Sequence, residues 1–116
     1  MRRVLIADDS PSNREFLRTV LAHEGWTVEE AGDGLTAVAM ATAAPPDLIL
    51  LDIQMPGADG YETLRALRAQ AALETIPIFA ITAYAMDGDE QRGLAAGFTA
   101  YLTKPLTRRR LLAALF

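Results

Sequence analysis

Cysteine is absent from the 116 residues, which excludes disulfide bridges, thiol nucleophiles and cysteine-ligated zinc, and fits a reducing compartment. Histidine occurs once. His23 falls in the last turn of a helical stretch, where the helix dipole favours it, with no partner that would make it a ligand or phosphate carrier. Positive charge is not in excess, and a net charge of -4 gives no electrostatic footprint for nucleic acid. Long apolar runs are also missing. Val4 to Ala7 is stopped at once by Asp8 and Asp9, so it is no signal-peptide core, and nothing approaches membrane-spanning length. There is no linker, repeat or low-complexity segment. Residues 1–116 are therefore expected to form one domain, cytoplasmic or a cytoplasmic piece of a larger protein, with neither nucleic acid nor membrane as partner. The 51% apolar and 22% charged content is that of a folded chain.

What is present alternates. Short apolar runs at Val4 to Ala7, Trp26 to Glu30, Leu48 to Leu51, Ile78 to Ile81 and Phe98 to Thr103 read as strands, several of them covered on both faces. Helical spacing separates them. Ser10 with Pro11 starts a first helix whose apolar face is Phe16, Leu17, Val20 and Leu21 and which Gly25 ends. The second, Leu35 to Ala44, is predicted to bury Leu35, Val38 and Ala39 before Pro45 and Pro46 stop it. Asp59 and Glu62 form a capping box for a third helix with Tyr61, Leu64 and Leu67 inward and Arg65 and Arg68 facing water. Asp87 and Glu90 cap a fourth, closed by Gly97. Thr107 caps a fifth, whose apolar content is Leu111, Leu112, Leu115 and Phe116. Arg108, Arg109 and Arg110 lie in its first turn, where the dipole disfavours each by about 0.3 to 1 kcal/mol. Two readings stand for them, a tolerated exposed cluster and a surface for an acidic partner.

The alternation predicts an α/β fold, a doubly wound five-stranded parallel sheet of order 2-1-3-4-5, a flavodoxin-like three-layer sandwich. Its switch point lies between the first and third strands. Asp8 and Asp9 end the first and Asp52 ends the third, so three carboxylates converge where such sheets bind ligands. Two like charges about 4 Å apart repel by roughly 4 kcal/mol at an effective dielectric of 20, so the cluster calls for a proton, a cation or both. All-oxygen ligation suits magnesium, with manganese as substitute. Thr82 ends the fourth strand and Lys104 the fifth, bringing a hydroxyl and an ammonium to the same edge, which suits a phosphoryl group.

On Asp8-Asp9, the run from Asp52 to Gly60, Thr82-Ala83 and Lys104-Pro105, each in order at the expected strand end, the chain resembles a response regulator receiver domain over its whole length. The resemblance implies that Asp52 accepts a phosphoryl group from a phosphohistidine on a sensor histidine kinase or histidine phosphotransfer protein. It implies that Asp9, Asp52 and the carbonyl of Gln54 bind magnesium, with Asp8 acting mainly through water. Lys104, the Thr82 hydroxyl and the Ala83 amide bind the phosphoryl oxygens. The domain thus promotes its own modification and slow dephosphorylation rather than acting as a metabolic enzyme. Thr82 and Tyr101 are the switch, remodelling the face of the fourth helix, fifth strand and fifth helix for a downstream protein, as a monomer or a phosphorylation-dependent dimer. Gln54 and Tyr84 flank the path of attacking water, and the bulk of Tyr84 is expected to lengthen the life of the phosphate. The exposed side of the first helix, with Pro11, Ser12, Arg14, Glu15 and Arg18, is the expected donor-docking surface.

Rival readings fit less well. A haloacid-dehalogenase-type phosphatase needs one residue between its two aspartates, whereas Asp8 and Asp9 are adjacent. A flavin binder wants hydroxyls and glycines where Asp8-Asp9-Ser10-Pro11 stands, and a pseudo-receiver would lack a key residue. Met1 just before the first strand argues for a true start, while the short last helix ending at Phe116 argues for a trimmed end. The Thr82 to Asp89 pattern resembles stand-alone shuttles and hybrid-kinase receivers more than DNA-binding regulators; a stand-alone or phosphorelay receiver is expected, with one cut from a hybrid kinase or multidomain regulator as the alternative.

Overall fold

The computed structural model describes residues 2–55, 59–83 and 88–115. Among these, strands β1 (Arg3–Ala7), β2 (Thr27–Ala31), β3 (Leu48–Asp52), β4 (Ile78–Thr82) and β5 (Ala100–Thr103) alternate with helices α1 (Pro11–His23), α2 (Gly34–Ala43), α3 (Gly60–Arg68), α4 (Asp89–Ala96) and α5 (Arg108–Leu115). All pairings are parallel, in the order β2-β1-β3-β4-β5 that the sequence predicts.

The unbroken apolar run of β3 has a direct cause. Leu48 and Leu50 join Val4, Ile6, Leu17, Leu21, Ile81 and Leu111 in the layer under α1 and α5, while Ile49 and Leu51 join Leu5, Ala37, Leu64 and Leu67 under α2 and α3. A strand with a core on each side needs apolar residues at both phases of its period of two. Caps then set where helices begin. Ser10 accepts from Asn13 N–H with Pro11 at the first helical position, Asp59 accepts from Glu62 N–H at 2.9 Å, and Thr107 Oγ1 accepts from Arg110 N–H at 3.2 Å.

Five expectations are corrected. In α2 the buried residues are Gly34, Ala37 and Ala41, while Leu35 is 76% exposed, Ala39 is exposed and Val38 half-buried. Asp33 caps the helix by accepting from Thr36 N–H at 2.7 Å, and the phase that follows turns the small residues toward α3. Arg68 does not face water. Its guanidinium donates to the carbonyls of Leu73, Glu74, Ile76 and Gly97, because the segment before β4 and the end of α4 turn backbone carbonyls toward it. Phe16 is 39% exposed rather than core. The second and fifth strands start one and two residues later than expected, at Thr27 and Ala100. Gly88, in the left-handed conformation, is the N-cap of α4 and offers no side chain to bond it. Asp87 of the expected capping box lies outside the described residues, as do Pro56, Gly57, Tyr84 and Phe116.

The three arginines opening α5 have an intramolecular explanation in two cases. Arg110 donates to the carbonyls of Thr103 and Pro105 at 2.9 and 3.1 Å, and Arg108 pairs with Glu24 at 3.4 Å. Those bonds offset the dipole while all three arginines stay exposed.

Candidate functional site

The parallel order brings the C-terminal ends of β1 and β3 side by side, with Ala7 opposite Leu51. The next residues therefore converge, and carboxylate oxygens of Asp8, Asp9 and Asp52 lie within 4.8 Å of one another. Asp8 and Asp52 are buried, at 2% and 3% exposure, whereas Asp9 opens to solvent. Lys104 reaches in from the end of β5, its Nζ 3.1 Å from Asp52 Oδ2 and 3.4 Å from Asp8 Oδ2. Asp52 Oδ1 accepts from Gln54 N–H at 2.9 Å, and Asp8 Oδ1 accepts from Ser10 N–H at 2.9 Å. Backbone closes the pocket from the side as well, since Lys104 N–H donates to the Thr82 carbonyl at 2.7 Å.

The electrostatics follow from burial. Desolvation pushes the Asp52 carboxyl up; hydrogen bonds from Gln54 and Lys104 oppose this, and the charge of Asp8 adds to it. For Lys104, burial works to lower the ammonium, but its bonds to Asp52 and the charges of Asp52 and Asp8 outweigh it and the net shift is upward. One cation serves two buried acids. The shortfall, three hard oxygen donors and an open flank at Asp9 fit a small divalent ion held by oxygen and water. The site is one that can hold such a metal.

Around that pocket stand the remaining predicted residues. Thr82 is fully buried, and its side chain hydrogen-bonds Tyr101. Burial first, then the charges of Tyr61 and Asp89, raise the Tyr101 hydroxyl above its usual range. Ala83 N–H donates to Gln54 Oε1 at 3.2 Å. Tyr84 falls outside the described residues. On the donor-docking side, Pro11, Ser12, Glu15 and Arg18 are exposed and Arg14 is half-buried; Arg18 and Arg14 pair with Glu30 at 3.2 and 3.1 Å respectively. A cavity of about 490 Å³ lies between α1 and the Lys104-Pro105 segment, lined by Asp8, Phe16, Ile81, Lys104 and Leu106 among others.

Sequence reasoning missed three supports of the site. Arg14 donates to the Asp8 carbonyl at 2.6 Å, steadying the acidic turn from α1, and nothing in the local pattern announces it. Gly60 has a role beyond its motif, since a Cβ there would lie 2.5 Å from Ile53 Cα, so only glycine lets α3 start this close behind Asp52. Gly93 gives Tyr101 its place. A Cβ at Gly93 would sit 2.5 Å from Tyr101 Cδ2, and a glycine inside a helical pattern was the available signal.

Sheet order and site together define a flavodoxin-like α/β domain whose switch point gathers three carboxylates that can hold a cation, with Lys104 beside them. The family model for the response regulator receiver domain matches residues 4–116, and the chain belongs to that family. It is 36% identical over 111 residues to the polar-differentiation response regulator DivK of Brucella ovis, covering 96% of this chain and 90% of that protein. It is 42% identical over 104 residues to the response regulator PleD of Caulobacter vibrioides, where the match is 90% of this chain and only 23% of PleD. Among solved structures, a chemotaxis response regulator of Vibrio cholerae superposes with a TM-score of 0.93 at 37% identity, over 99% of this chain and 96% of that one. The receiver domain of a Pseudomonas aeruginosa sensor histidine kinase, with magnesium coordinated in its active-site cleft, superposes at 0.90 and 37% identity over 98% and 93%. The chain is thus a receiver domain of two-component signalling, a class that works with histidine kinases and downstream effectors. No helix among the described residues is long and apolar enough to cross a membrane.

Proposed function

We propose that Asp52 accepts a phosphoryl group from a phosphohistidine of a sensor kinase or histidine phosphotransfer protein in the cytoplasm. The observation that carries this reading is the Asp52 carboxylate itself, buried at a strand end with Lys104 on one oxygen and an amide N–H on the other. As the bond from its oxygen to phosphorus forms, the P–N bond of the donor breaks and the electron pair returns to the donor imidazole. Lys104, the Thr82 hydroxyl and the Ala83 N–H receive the phosphoryl oxygens, stabilising charge where it gathers. Asp9, Asp52 and the Gln54 carbonyl would hold magnesium, with Asp8 acting through water; when bound, that ion neutralises negative charge on the transferring group. The donor docks along α1 and the cavity beside Phe16.

Transfer changes Asp52 from a charge of -1 to roughly -2. The new charge draws the Thr82 hydroxyl, which now bonds Tyr101, and so alters the ring that rests against Gly93 of α4. The face of α4, β5 and α5 is the surface offered to a downstream protein or a second copy. Intact mass after incubation with acetyl phosphate and magnesium tests the chemistry. One added phosphate that requires magnesium and is absent in Asp52→Asn is the expected result; no adduct in the wild type sinks the reading and leaves a receiver that only binds partners.

A further inference from the structure

Gln54 touches the site twice. Its backbone N–H donates to Asp52 Oδ1 at 2.9 Å, and its exposed side chain turns back so that Oε1 accepts from Ala83 N–H at 3.2 Å. An N–H needs an acceptor, so the carbonyl end of the carboxamide faces Ala83. That amide is the one assigned above to a phosphoryl oxygen. It carries a single hydrogen, and two acceptors on separate groups cannot both use it in good geometry.

We propose that the Gln54 carboxamide is an internal stand-in for the phosphoryl group, occupying the Ala83 amide in the unphosphorylated domain and giving it up when Asp52 is phosphorylated. The inference rests on the phosphoacceptor reading. In the resting domain the bond ties the segment after β4 to the segment after β3. On phosphorylation the carboxamide leaves, and its release reports the state of Asp52 on the exposed rim of the site. The same contact makes Gln54 a determinant of affinity. Without it, Ala83 N–H would hydrogen-bond water, so the penalty on phosphoryl binding is the net advantage of the intramolecular bond over water. A net advantage of the usual size corresponds to about two- to tenfold in an equilibrium constant.

Gln54→Leu and Gln54→Ala both remove the acceptor while keeping the backbone carbonyl assigned to the metal, and comparison at saturating magnesium removes any difference in metal affinity from the readout. Two readouts on labelled protein then decide: hydrogen exchange of the Ala83 amide in the resting domain, and fluoroberyllate affinity at saturating magnesium followed by amide shifts. Faster exchange together with about two- to tenfold tighter fluoroberyllate binding in both variants is the expected result. Unchanged exchange, unchanged or weaker affinity, or tightening confined to one variant overturns the proposal. Failure of the wild type and both variants to bind fluoroberyllate overturns the phosphoacceptor reading and this inference with it; equal binding by all three overturns this inference alone.

Discussion

Lys104 stands between two buried carboxylates, Asp8 at 3.4 Å and Asp52 at 3.1 Å, so in the metal-free domain one positive charge answers two negative ones. Asp52 bears the imbalance. Burial raises its carboxyl above the ordinary 3.8, so between 3.8 and the raised value the native state binds more protons than the unfolded chain. Stability therefore falls as pH rises through that window and stays at the lower level above it. Asp52→Asn keeps the volume and leaves Lys104 a single partner in Asp8. We expect metal-free Asp52→Asn to be more stable than wild type at pH 7 by about 1 kcal/mol, with the difference vanishing as pH falls toward 3.8. Urea melts of both proteins in chelator, at several pH values, measure it. Equal stability at pH 7 would mean that solvent reaches Asp52 well enough to remove the cost of burying its charge.

At the scale of elements, the end of α3 is fastened to two neighbours through one side chain. Arg68 Nη1 donates to the carbonyls of Leu73, Glu74 and Ile76 ahead of β4, and Nη2 and Nε donate to the Gly97 carbonyl that closes α4. Truncation removes a fan of charge-assisted bonds and strands several carbonyls. Arg68→Ala is expected to cost about 3 kcal/mol in chemical denaturation, and Arg68→Lys to recover little, because an ammonium cannot span both groups of carbonyls. Full recovery by lysine would show that the charge, and not the fork, matters. The same elements show what the sequence made legible. Ser10-Pro11, Asp59 and Thr107 announce helix starts because a cap is a local device. The phase of α2 was not legible in its hydropathy, since an alanine-rich helix is nearly uniform; it follows from the Asp33 cap, which leaves Gly34, Ala37 and Ala41 on the buried side. Arg68 misled because the carbonyls it serves belong to the backbone, which a pattern of side chains cannot display.

For the whole molecule, the site is made by topology. Asp8, Asp52, Thr82 and Lys104 lie far apart in the chain, and each was readable because it ends a recognisable apolar run whose place in a doubly wound sheet is dictated by the parallel crossovers. Contacts between loops, such as Gln54 with Ala83 and Arg14 with the Asp8 carbonyl, were not readable, because they depend on how two turns face each other. Convergence also gathers acids at one edge of a chain whose net charge is already -4, which loads repulsion into the folded state that the expanded chain largely escapes. A divalent ion that binds only the folded acids should relieve it and add stability by mass action, about 2.7 kcal/mol at a hundred times its dissociation constant. For a domain of this size each kcal/mol is worth roughly 4 °C. Melting temperature is therefore expected to climb logarithmically with magnesium and to exceed that in sodium chloride of equal ionic strength, and Asp9→Asn is expected to lose most of the excess. Ordinary screening predicts the opposite pattern, equal gains from both salts and an indifferent Asp9→Asn. That result would remove the metal from the site and leave Lys104 as the cation its acids share.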